Sequence, residues 1–415
     1  MTLNSNQTDR RIEFVFVVAN LILASAFDCR ASDLQQMAVS LVSEVGTVMG
    51  RDLRRSYPID VLSTADFDSR TRKATNSPES RIPVRIDCYF CSNDQRIFIR
   101  GGLDGMKRIA RNVSELELIE HLTIFHELVH AWQFEEAADA VRALALQRDV
   151  VVPIAILEGQ AEWATERYAR SKGYERLFLR MRQRFPAEQQ MTAGGTTPDL
   201  YFRYVESSAF WTELHSNGKV PSLCTILTDR LPTDRQVIYP HEYLNGRTIT
   251  ERDLTGYSSL LGHVNDTQTR KIGLLGFRTY ARTMTLSPQG LDRLLQEYET
   301  GCRMACHDDC QISALAFSRQ SAASEMYRQL LKQHERSAKS PLHSRMLKGD
   351  IQCISYRTSN PGKTEFTTTT VALDDDVVWE LNDYRRGSFE ISWDDWLADI
   401  EKKSGKMRGM GTRKP

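Results

Sequence analysis

Two histidines and a glutamate lie close together in the segment Thr123–Trp132, which contains the pattern His-Glu-x-x-His. His126 and His130 are four residues apart, so a helix places both imidazole rings on one face, where they can bind the same cation. A catalytic zinc site takes three protein ligands at roughly 2.0–2.2 Å and a water, whose pKa it lowers to about 7. The pattern therefore predicts a zinc site in which Glu127 is the base that takes the proton of that water.

The residues around this pattern predict a buried helix. Its two variable positions are Leu128 and Val129, and the flanking positions are uncharged. Ser114, with a glutamate three residues later, has the spacing of a capping box, and Val113 with Leu118 has that of a hydrophobic staple. We therefore expect the helix to be capped at this point and to run through the histidines.

A candidate third ligand follows in the segment Leu157–Trp163, which reads Glu-Gly-x-Ala-Glu from Glu158 onwards. The histidine-glutamate pattern, followed at this distance by such a segment, resembles the gluzincin superfamily of thermolysin-like zinc metallopeptidases, also called peptidase MA. The resemblance implies a general base at Glu127. It also implies a zinc ion bound by His126, His130 and Glu158.

The same segment contains a second acid, Glu162, one helical turn after Glu158. The two share a helical face, and we expect only one of them to touch the metal. In gluzincins the first acid is the zinc ligand and the later acid supports a ligand histidine, because zinc-bound histidines donate their second ring N–H to such a partner. We predict that Glu162 accepts this hydrogen bond from the second ring nitrogen of His126. Gly159 is expected to let the helix that carries the histidines approach Glu158 closely.

Two later segments extend the resemblance to uncharacterised exported bacterial proteins with the same histidine-glutamate pattern. Residues 204–214 are similar to a helix of those proteins, and residues 231–244 are similar to a Pro-x-Ser-Thr-Glu-Gln-x-Leu-His-Pro-Glu-Lys-Tyr-Leu segment. This chain has Tyr239 where that segment has histidine. Gluzincins commonly stabilise the oxyanion with a tyrosine or histidine beyond the third ligand, so we nominate Tyr204 first and Tyr239 second. The resemblance covers roughly residues 80–285.

The overall composition is that of an ordinary soluble protein. The chain has 415 residues, which suffice for two domains or for one large domain with an extension. Hydrophobic residues make up 41% and charged residues 26%. Lys+Arg and Asp+Glu both number 54. Because no basic excess supplies a positive field, we expect no nucleic-acid partner.

Residues 1–26 have the parts of a secretory signal peptide. Two arginines precede an apolar run over residues 14–27, and Ala24 and Ala26 have the spacing of a signal-peptidase site. The run is shorter than the about 20 apolar residues of a spanning helix, so we expect no membrane anchor after cleavage. These features predict a secreted or periplasmic protein that begins near Phe27. The alternative is a buried first strand or helix.

An exported location affects the interpretation of the cysteines, which all follow the predicted cleavage site. An even number suits disulfides in an oxidising compartment. The eight are Cys29, Cys88, Cys91, Cys224, Cys302, Cys306, Cys310 and Cys353. A thiol redox site is the alternative for the Cys-x-x-Cys pattern of Cys88 and Cys91. A structural metal site on one helical face is the alternative for Cys302, Cys306, His307 and Cys310.

The segments before the histidines predict a helix and a small sheet. Apolar residues recur with helical period over residues 32–53. Residues 59–62 have the pattern of a short strand, and residues 82–90 and 96–100 alternate as in a hairpin. A small sheet at this position agrees with the gluzincin architecture, whose outer strand would pair with an extended peptide substrate.

The segments after Glu162 also carry structural signals, and residues 311–415 contain no motif that indicates chemistry. Gly173 is expected to end the helix that contains Glu158. Helical periodicity predicts helices over residues 254–284, 289–298 and 312–334. A hairpin is predicted from residues 350–357 and 364–373.

Together these patterns predict an α+β, helix-rich fold with a zincin-like catalytic domain over residues 27–300. Residues 301–401 are predicted to form a C-terminal extension of helices and a hairpin, and residues 402–415 a disordered basic tail. Our hypothesis is an exported zinc metallopeptidase that acts on a peptide or protein substrate. Two alternatives stay open: a non-catalytic zincin-like binding domain, and a zinc hydrolase of a non-protein amide such as a cell-wall peptide. The sequence gives no indication of the oligomeric state.

Overall fold

The computed structural model describes residues 27–75, 88–101, 110–144, 151–183, 200–218, 220–246, 252, 254, 267–284, 286–306, 310–337, 341–346, 352–359 and 366–383. The chain divides into two compact units, Met1–Arg247 and Thr248–Pro415. Both units contain helices and strands, which confirms a helix-rich α+β fold class. Within the described ranges no helix combines the length and the apolar character that crossing a bilayer requires.

The first unit consists of helices around a small sheet. Its described helices are α1 (Phe27–Met49), α2 (Thr64–Thr75), α3 (Val113–Leu144), α4 (Val151–Ser171), α5 (Glu175–Arg182), α6 (Ser207–Ser216), α7 (Leu223–Thr228), α8 (Asp234–Ile238) and α9 (Pro240–Leu244). Its described strands are β1 (Ile59–Ser63), β2 (Cys88–Cys91) and β3 (Arg96–Gly101). A π-helical turn, Phe202–Glu206, precedes α6. The two motifs predicted to bind the metal lie on α3 and α4, which pack against each other.

The sheet of the first unit precedes α3 in the chain, as predicted. β2 and β3 pair antiparallel and form the expected hairpin, while β1 pairs parallel with β3. The strand order is β1-β3-β2, so β2 is an edge strand. β2 lies against α3, and its four side chains are buried. The strand expected to receive a peptide is therefore β2, and this role stays a prediction.

Helix α3 begins at a different cap from the predicted one. The Oδ1 atom of Asn112 accepts a hydrogen bond from the backbone N–H of Glu115 at 2.9 Å. The Glu115 carboxylate accepts one from the backbone N–H of Arg111 at 2.8 Å. The helix cap is therefore Asn112, two residues before the predicted cap at Ser114, and the predicted position is wrong. Asparagine caps a helix as well as serine does. The predicted staple is also wrong, since Val113 is 71% exposed.

The middle of α3 is buried on all sides. Leu122 to Phe134 form an unbroken run of buried residues, and this run includes the histidine-glutamate pattern. A helix without a polar face belongs inside a protein core, and α1, α4 and β2 all pack on α3. The helix is kinked at Ala137, whose backbone is non-helical (φ −139°, ψ 40°). The chemical motif therefore lies in the regular part of the helix, before the kink.

Helix α4 is fixed at its end and along its length. Gly173 ends the helix, as predicted, with a positive φ of 77° that glycine adopts without strain. The indole N–H of Trp211 on α6 donates to the carbonyl oxygen of Ile156 at 2.8 Å. Gly159 faces Ser207 at the start of α6: a Cβ atom at Gly159 would lie 2.5 Å from the Ser207 carbonyl carbon. The expectation that Gly159 makes room for α3 is therefore corrected, because its closest neighbour is α6.

We expect Gly159→Ala to destabilise the first unit, although alanine is favoured over glycine inside a helix by about 1 kcal/mol. The added Cβ would overlap the side chain and the backbone of Ser207, and overpacking of this kind costs about 1–3 kcal/mol. Urea denaturation should show a net loss of stability. Adding Ser207→Gly removes the side-chain part of the overlap and should recover some of the loss. Raised stability in Gly159→Ala would contradict the close packing of α4 and α6.

The second unit is built on one large sheet. Its described strands are β4 (Thr267–Ile272), β5 (Tyr298–Cys306), β6 (Cys310–Phe317), β7 (Pro341–Met346), β8 (Gln352–Ser359), β9 (Phe366–Asp374) and β10 (Val377–Asp383). All the pairings are antiparallel, in the order β4-β5-β6-β10-β9-β8-β7. Its described helices are α10 (Leu274–Ala281), α11 (Pro288–Glu297) and α12 (Gln320–Ser337). The predicted hairpin is confirmed by the pairing of β8 with β9.

The structural boundary between the units differs from the predicted domain boundary. Residue 300, where we expected the catalytic domain to end, lies inside β5, whose partner β4 comes earlier in the chain. A predicted helix over residues 254–284 is wrong for part of its length, because β4 precedes α10 there. The predicted helix over residues 289–298 is confirmed by α11. Sheet pairing over long distances in the chain overrides local helical periodicity in this region.

The cysteine cluster of the second unit lies on strands. Cys302 and Cys306 belong to β5, and Cys310 begins β6 directly opposite Cys306. A metal site on one helical face is therefore wrong for these residues. His307 lies outside the described residues.

The described cysteine side chains belong to Cys88, Cys91, Cys224 and Cys302, and each is a thiol that takes part in no disulfide. Successive side chains of a strand point to opposite faces, so Cys88 and Cys91, three apart on β2, face opposite sides of the sheet. Their thiols cannot form a disulfide without backbone movement, which argues against a redox pair. The predicted disulfides do not involve these four. The predicted signal peptide and basic tail lie outside the described residues.

Candidate metal centre

Helix α3 brings the two predicted histidine ligands together. The Nε2 atoms of His126 and His130 are 3.1 Å apart, and the two ring centroids are 4.8 Å apart. Both residues are buried, His130 completely. The spacing of four residues therefore places both imidazoles on one helical face, as the sequence predicts.

Helix α4 contributes the carboxylate. The Oε2 atom of Glu158 lies 3.3 Å from Nε2 of His126 and 3.4 Å from Nε2 of His130. Three ligands at about 2.0–2.1 Å from a tetrahedral zinc ion would be about 3.3–3.4 Å from one another. The observed separations of 3.1, 3.3 and 3.4 Å are close to these values. The three side chains form a buried group that can hold a metal ion.

The charges of this group are set by burial and by pairing. Burial alone would raise the pKa of Glu158, but the two histidines outweigh it and lower that pKa to about 2. Burial would likewise lower the pKa of His130, but Glu158 outweighs it and raises that pKa above its usual value. A cation that displaces the His130 proton would therefore meet a carboxylate that is already ionised.

Glu127 is completely buried beside the three ligands, and strand β2 holds one of its oxygens. Its Oε2 atom accepts a hydrogen bond from the backbone N–H of Phe90 at 2.7 Å. Among the described residues, its Oε1 atom has no hydrogen-bond partner. Burial raises the pKa of Glu127 to about 8; Glu158 adds to this rise, and His130 with the Phe90 N–H opposes it. A buried oxygen without a protein partner is usually satisfied by a bound water or ion. Two imidazole nitrogens and a carboxylate oxygen are donors that suit a divalent metal ion.

The outer nitrogen of His130 has a partner that the sequence analysis missed. Nδ1 of His130 lies 2.8 Å from the amide oxygen of Gln133, which is fully buried. Gln133 follows His130 by three residues, so it shares the helical face of the histidines. The sequence signal that could have identified Gln133 is its polar side chain within the otherwise largely apolar, buried stretch of α3. Glu162 is buried one turn after Glu158, as expected, and its assignment to His126 stays a prediction.

The two nominated tyrosines differ in their relation to the site. Tyr204 is 2% exposed, and its ring centroid lies 6.5 Å from that of His126. It belongs to the π-helical turn, a feature frequent at functional sites. Tyr239 is half-buried between α8 and α9, where the Arg235 guanidinium lies 5.2 Å from its ring centroid. The Tyr204 ring thus lies near a predicted metal ligand, and the nomination of either tyrosine stays a prediction.

Comparisons of the chain with protein-family models, with curated proteins and with solved structures gave no match. The gluzincin resemblance therefore depends on the motifs that contain His126, Glu127, His130 and Glu158.

We expect the two acids of α4 to differ in their effect on metal binding. Glu158→Gln removes a negative oxygen within 3.4 Å of both histidines, and should nearly abolish zinc binding. Glu162→Gln removes at most a partner of a ligand, which typically costs about 10–100-fold in affinity. Zinc affinities measured by competition with a chromophoric chelator check both values. Equal losses, or a larger loss for Glu162→Gln, would reverse the assignment of the third ligand.

Proposed function

We propose that the first unit is a zinc metallopeptidase of the gluzincin type. The observation that carries this proposal is the close approach of three ligand atoms beside the buried Glu127, one oxygen of which has no hydrogen-bond partner among the described residues. Two imidazoles and one carboxylate are ligand types of catalytic zinc, and three protein ligands leave the fourth position for water. Zinc held by His126, His130 and Glu158 would act as a Lewis acid and lower the pKa of a bound water to about 7.

Glu127 is the general base in this proposal. It takes a proton from the attacking water as the water oxygen bonds to the carbonyl carbon of the substrate. It then gives this proton to the leaving nitrogen as the carbon–nitrogen bond breaks, so that a carboxylic acid and an amine are released. The Phe90 N–H engages Oε2 of Glu127, which leaves Oε1 to carry the proton.

Strand β2 supports a peptide as the substrate. Its Phe90 N–H bonds Glu127 on α3, so this N–H points out of the sheet edge and not towards β3. Because Glu127 occupies this N–H, an extended peptide added along the edge pairs with the other backbone groups of β2 and passes beside the carboxyl that acts on it. The signal-like residues 1–26 support an exported enzyme, for which peptides and proteins outside the cytoplasm are the substrates.

Tyr204 stabilises the oxyanion in this proposal. The Tyr204→Phe variant removes only the hydroxyl, and losing one such donor costs about 10²–10³-fold in kcat. Zinc affinity and KM should change little, because the ring still packs near His126. Tyr239→Phe is the matched comparison: it removes the hydroxyl of the second nominee, whose ring lies near Arg235 and His241, and a larger loss of kcat there would move the role to Tyr239. The nomination fails if Tyr204→Phe is as active as the wild type.

The Glu127→Gln variant tests the mechanism. Glutamine keeps an oxygen for the Phe90 N–H but cannot take a proton, so turnover should fall by about 10²–10⁴-fold while zinc is retained. The measurements are zinc content and digestion of a peptide library by wild type and variant. Glu117→Gln, an exposed change on the same helix, is the control and should be fully active.

Near-normal cleavage by Glu127→Gln would contradict the proposed mechanism. A wild type that binds zinc and leaves the library intact would contradict the peptidase itself. Including peptidoglycan fragments in that assay then separates the two alternatives: release of cell-wall peptides indicates a non-protein amide substrate, and no release indicates a binding domain.

A further inference from the structure

Gln133 joins the two helices that carry the metal ligands. Its side-chain oxygen lies 2.8 Å from Nδ1 of His130 on the same helix. Its side-chain nitrogen donates to the backbone carbonyl of Leu157 on α4 at 2.8 Å, and to the side-chain oxygen of Gln160 at 3.0 Å. Because Gln133 is fully buried, these contacts are not shared with bulk solvent.

The Leu157 carbonyl determines which way the Gln133 amide faces. A backbone carbonyl can only accept hydrogen bonds, so the nitrogen of the amide must be on that side. The amide oxygen then faces His130, and this oxygen also only accepts. A hydrogen bond at 2.8 Å therefore requires a proton on Nδ1 of His130. Turning the amide around would place two oxygens against each other at Leu157.

We propose that Gln133 is a positioning residue that holds His130 in the tautomer with its proton on Nδ1. In the neutral ring of this tautomer, Nε2 has a free lone pair, and Nε2 is the atom that faces His126 and Glu158. The ring is thus presented to a cation in the form that can bind it. Gln133 also fixes the backbone at Leu157, the residue before Glu158, so one amide orients ligands from both helices.

This inference rests on the proposed function only in taking His130 as a zinc ligand. It does not depend on catalysis, and both measurements below concern binding and protonation. If the wild type binds no zinc, the metal centre itself fails. If the wild type binds zinc and the Gln133 variants match it, only the role of Gln133 fails.

Zinc affinity is measured for four proteins: the wild type, Gln133→Met, Gln133→Glu and Gln160→Met. Methionine keeps the volume but accepts no comparable hydrogen bond from Nδ1, so affinity should fall by about 10–100-fold. Glutamate keeps an acceptor for His130, so affinity should stay within about threefold of the wild type, as in carboxylate–histidine–zinc sites. Gln160→Met leaves the His130 contact intact and should also retain the wild-type affinity.

Thermal stability separates positioning from general support of the fold. Gln133→Glu and Gln133→Met both lose the neutral amide donor to the Leu157 carbonyl, so both should melt at lower temperature than the wild type. Only Gln133→Met should also lose zinc affinity. If the loss of affinity simply follows the loss of stability in both variants, Gln133 is a structural residue and the proposal is wrong.

The tautomer is read directly from the metal-free protein by ¹⁵N NMR of labelled histidines, at a pH where the His130 ring is neutral. The wild type should show the His130 proton on Nδ1, whereas free histidine favours Nε2. The signal is assigned by its loss in His130→Gln. In Gln133→Met the Nδ1 tautomer should lose its dominance. A wild-type ring with its proton on Nε2 would overturn the proposal.

Discussion

The ionised carboxylate of Glu158 is completely buried, and the construction of the first unit depends on compensating for this burial. Removing one such ion from water costs several kcal/mol even after relaxation. Two imidazoles within 3.4 Å reverse that penalty, as the lowered pKa of Glu158 shows. Because the histidines lie on α3 and the carboxylate on α4, the two helices have to meet in one register. Two contacts of α4 with α6 help to fix the position of α4. They are the close packing of Gly159 against α6 and the hydrogen bond from the Trp211 indole to the backbone of α4.

On the other side of α3, strand β2 of the small sheet holds the Glu127 carboxyl. Glu127 follows His126 in the sequence, so its carboxyl projects from a neighbouring position of the helix, towards β2 instead of α4. The Phe90 N–H at the sheet edge holds one oxygen of that carboxyl. A shift of β2 along α3 would leave both groups without a partner in a buried region, which is costly. The edge strand thus contributes a backbone N–H to the candidate metal centre.

The sequence predicts the parts of this site that depend on local spacing. His126 and His130 share a face because a helix has 3.6 residues per turn, and this holds whatever surrounds them. Gln133 and Phe90 act through contacts with Leu157 and Glu127, far away in the chain, which local periodicity does not encode. The cysteines of β5 and β6 were considered for one face of a helix, although they lie on strands, for a related reason. Residues four apart share a face of a strand as well as of a helix, so their spacing could not distinguish the two.

Charge balance explains why the partner of His130 is an amide. In a buried site, charges that are not compensated shift their protonation until they are. Without a cation, a pKa of about 8 favours the neutral form of Glu127, and Glu158, which raises the pKa of His130, favours a proton on that ring. With a divalent cation, Glu127 and Glu158 can both be ionised and the sum is again zero. A carboxylate in place of Gln133 would add a third negative charge. A neutral amide orients the ring while leaving this balance unchanged in both states.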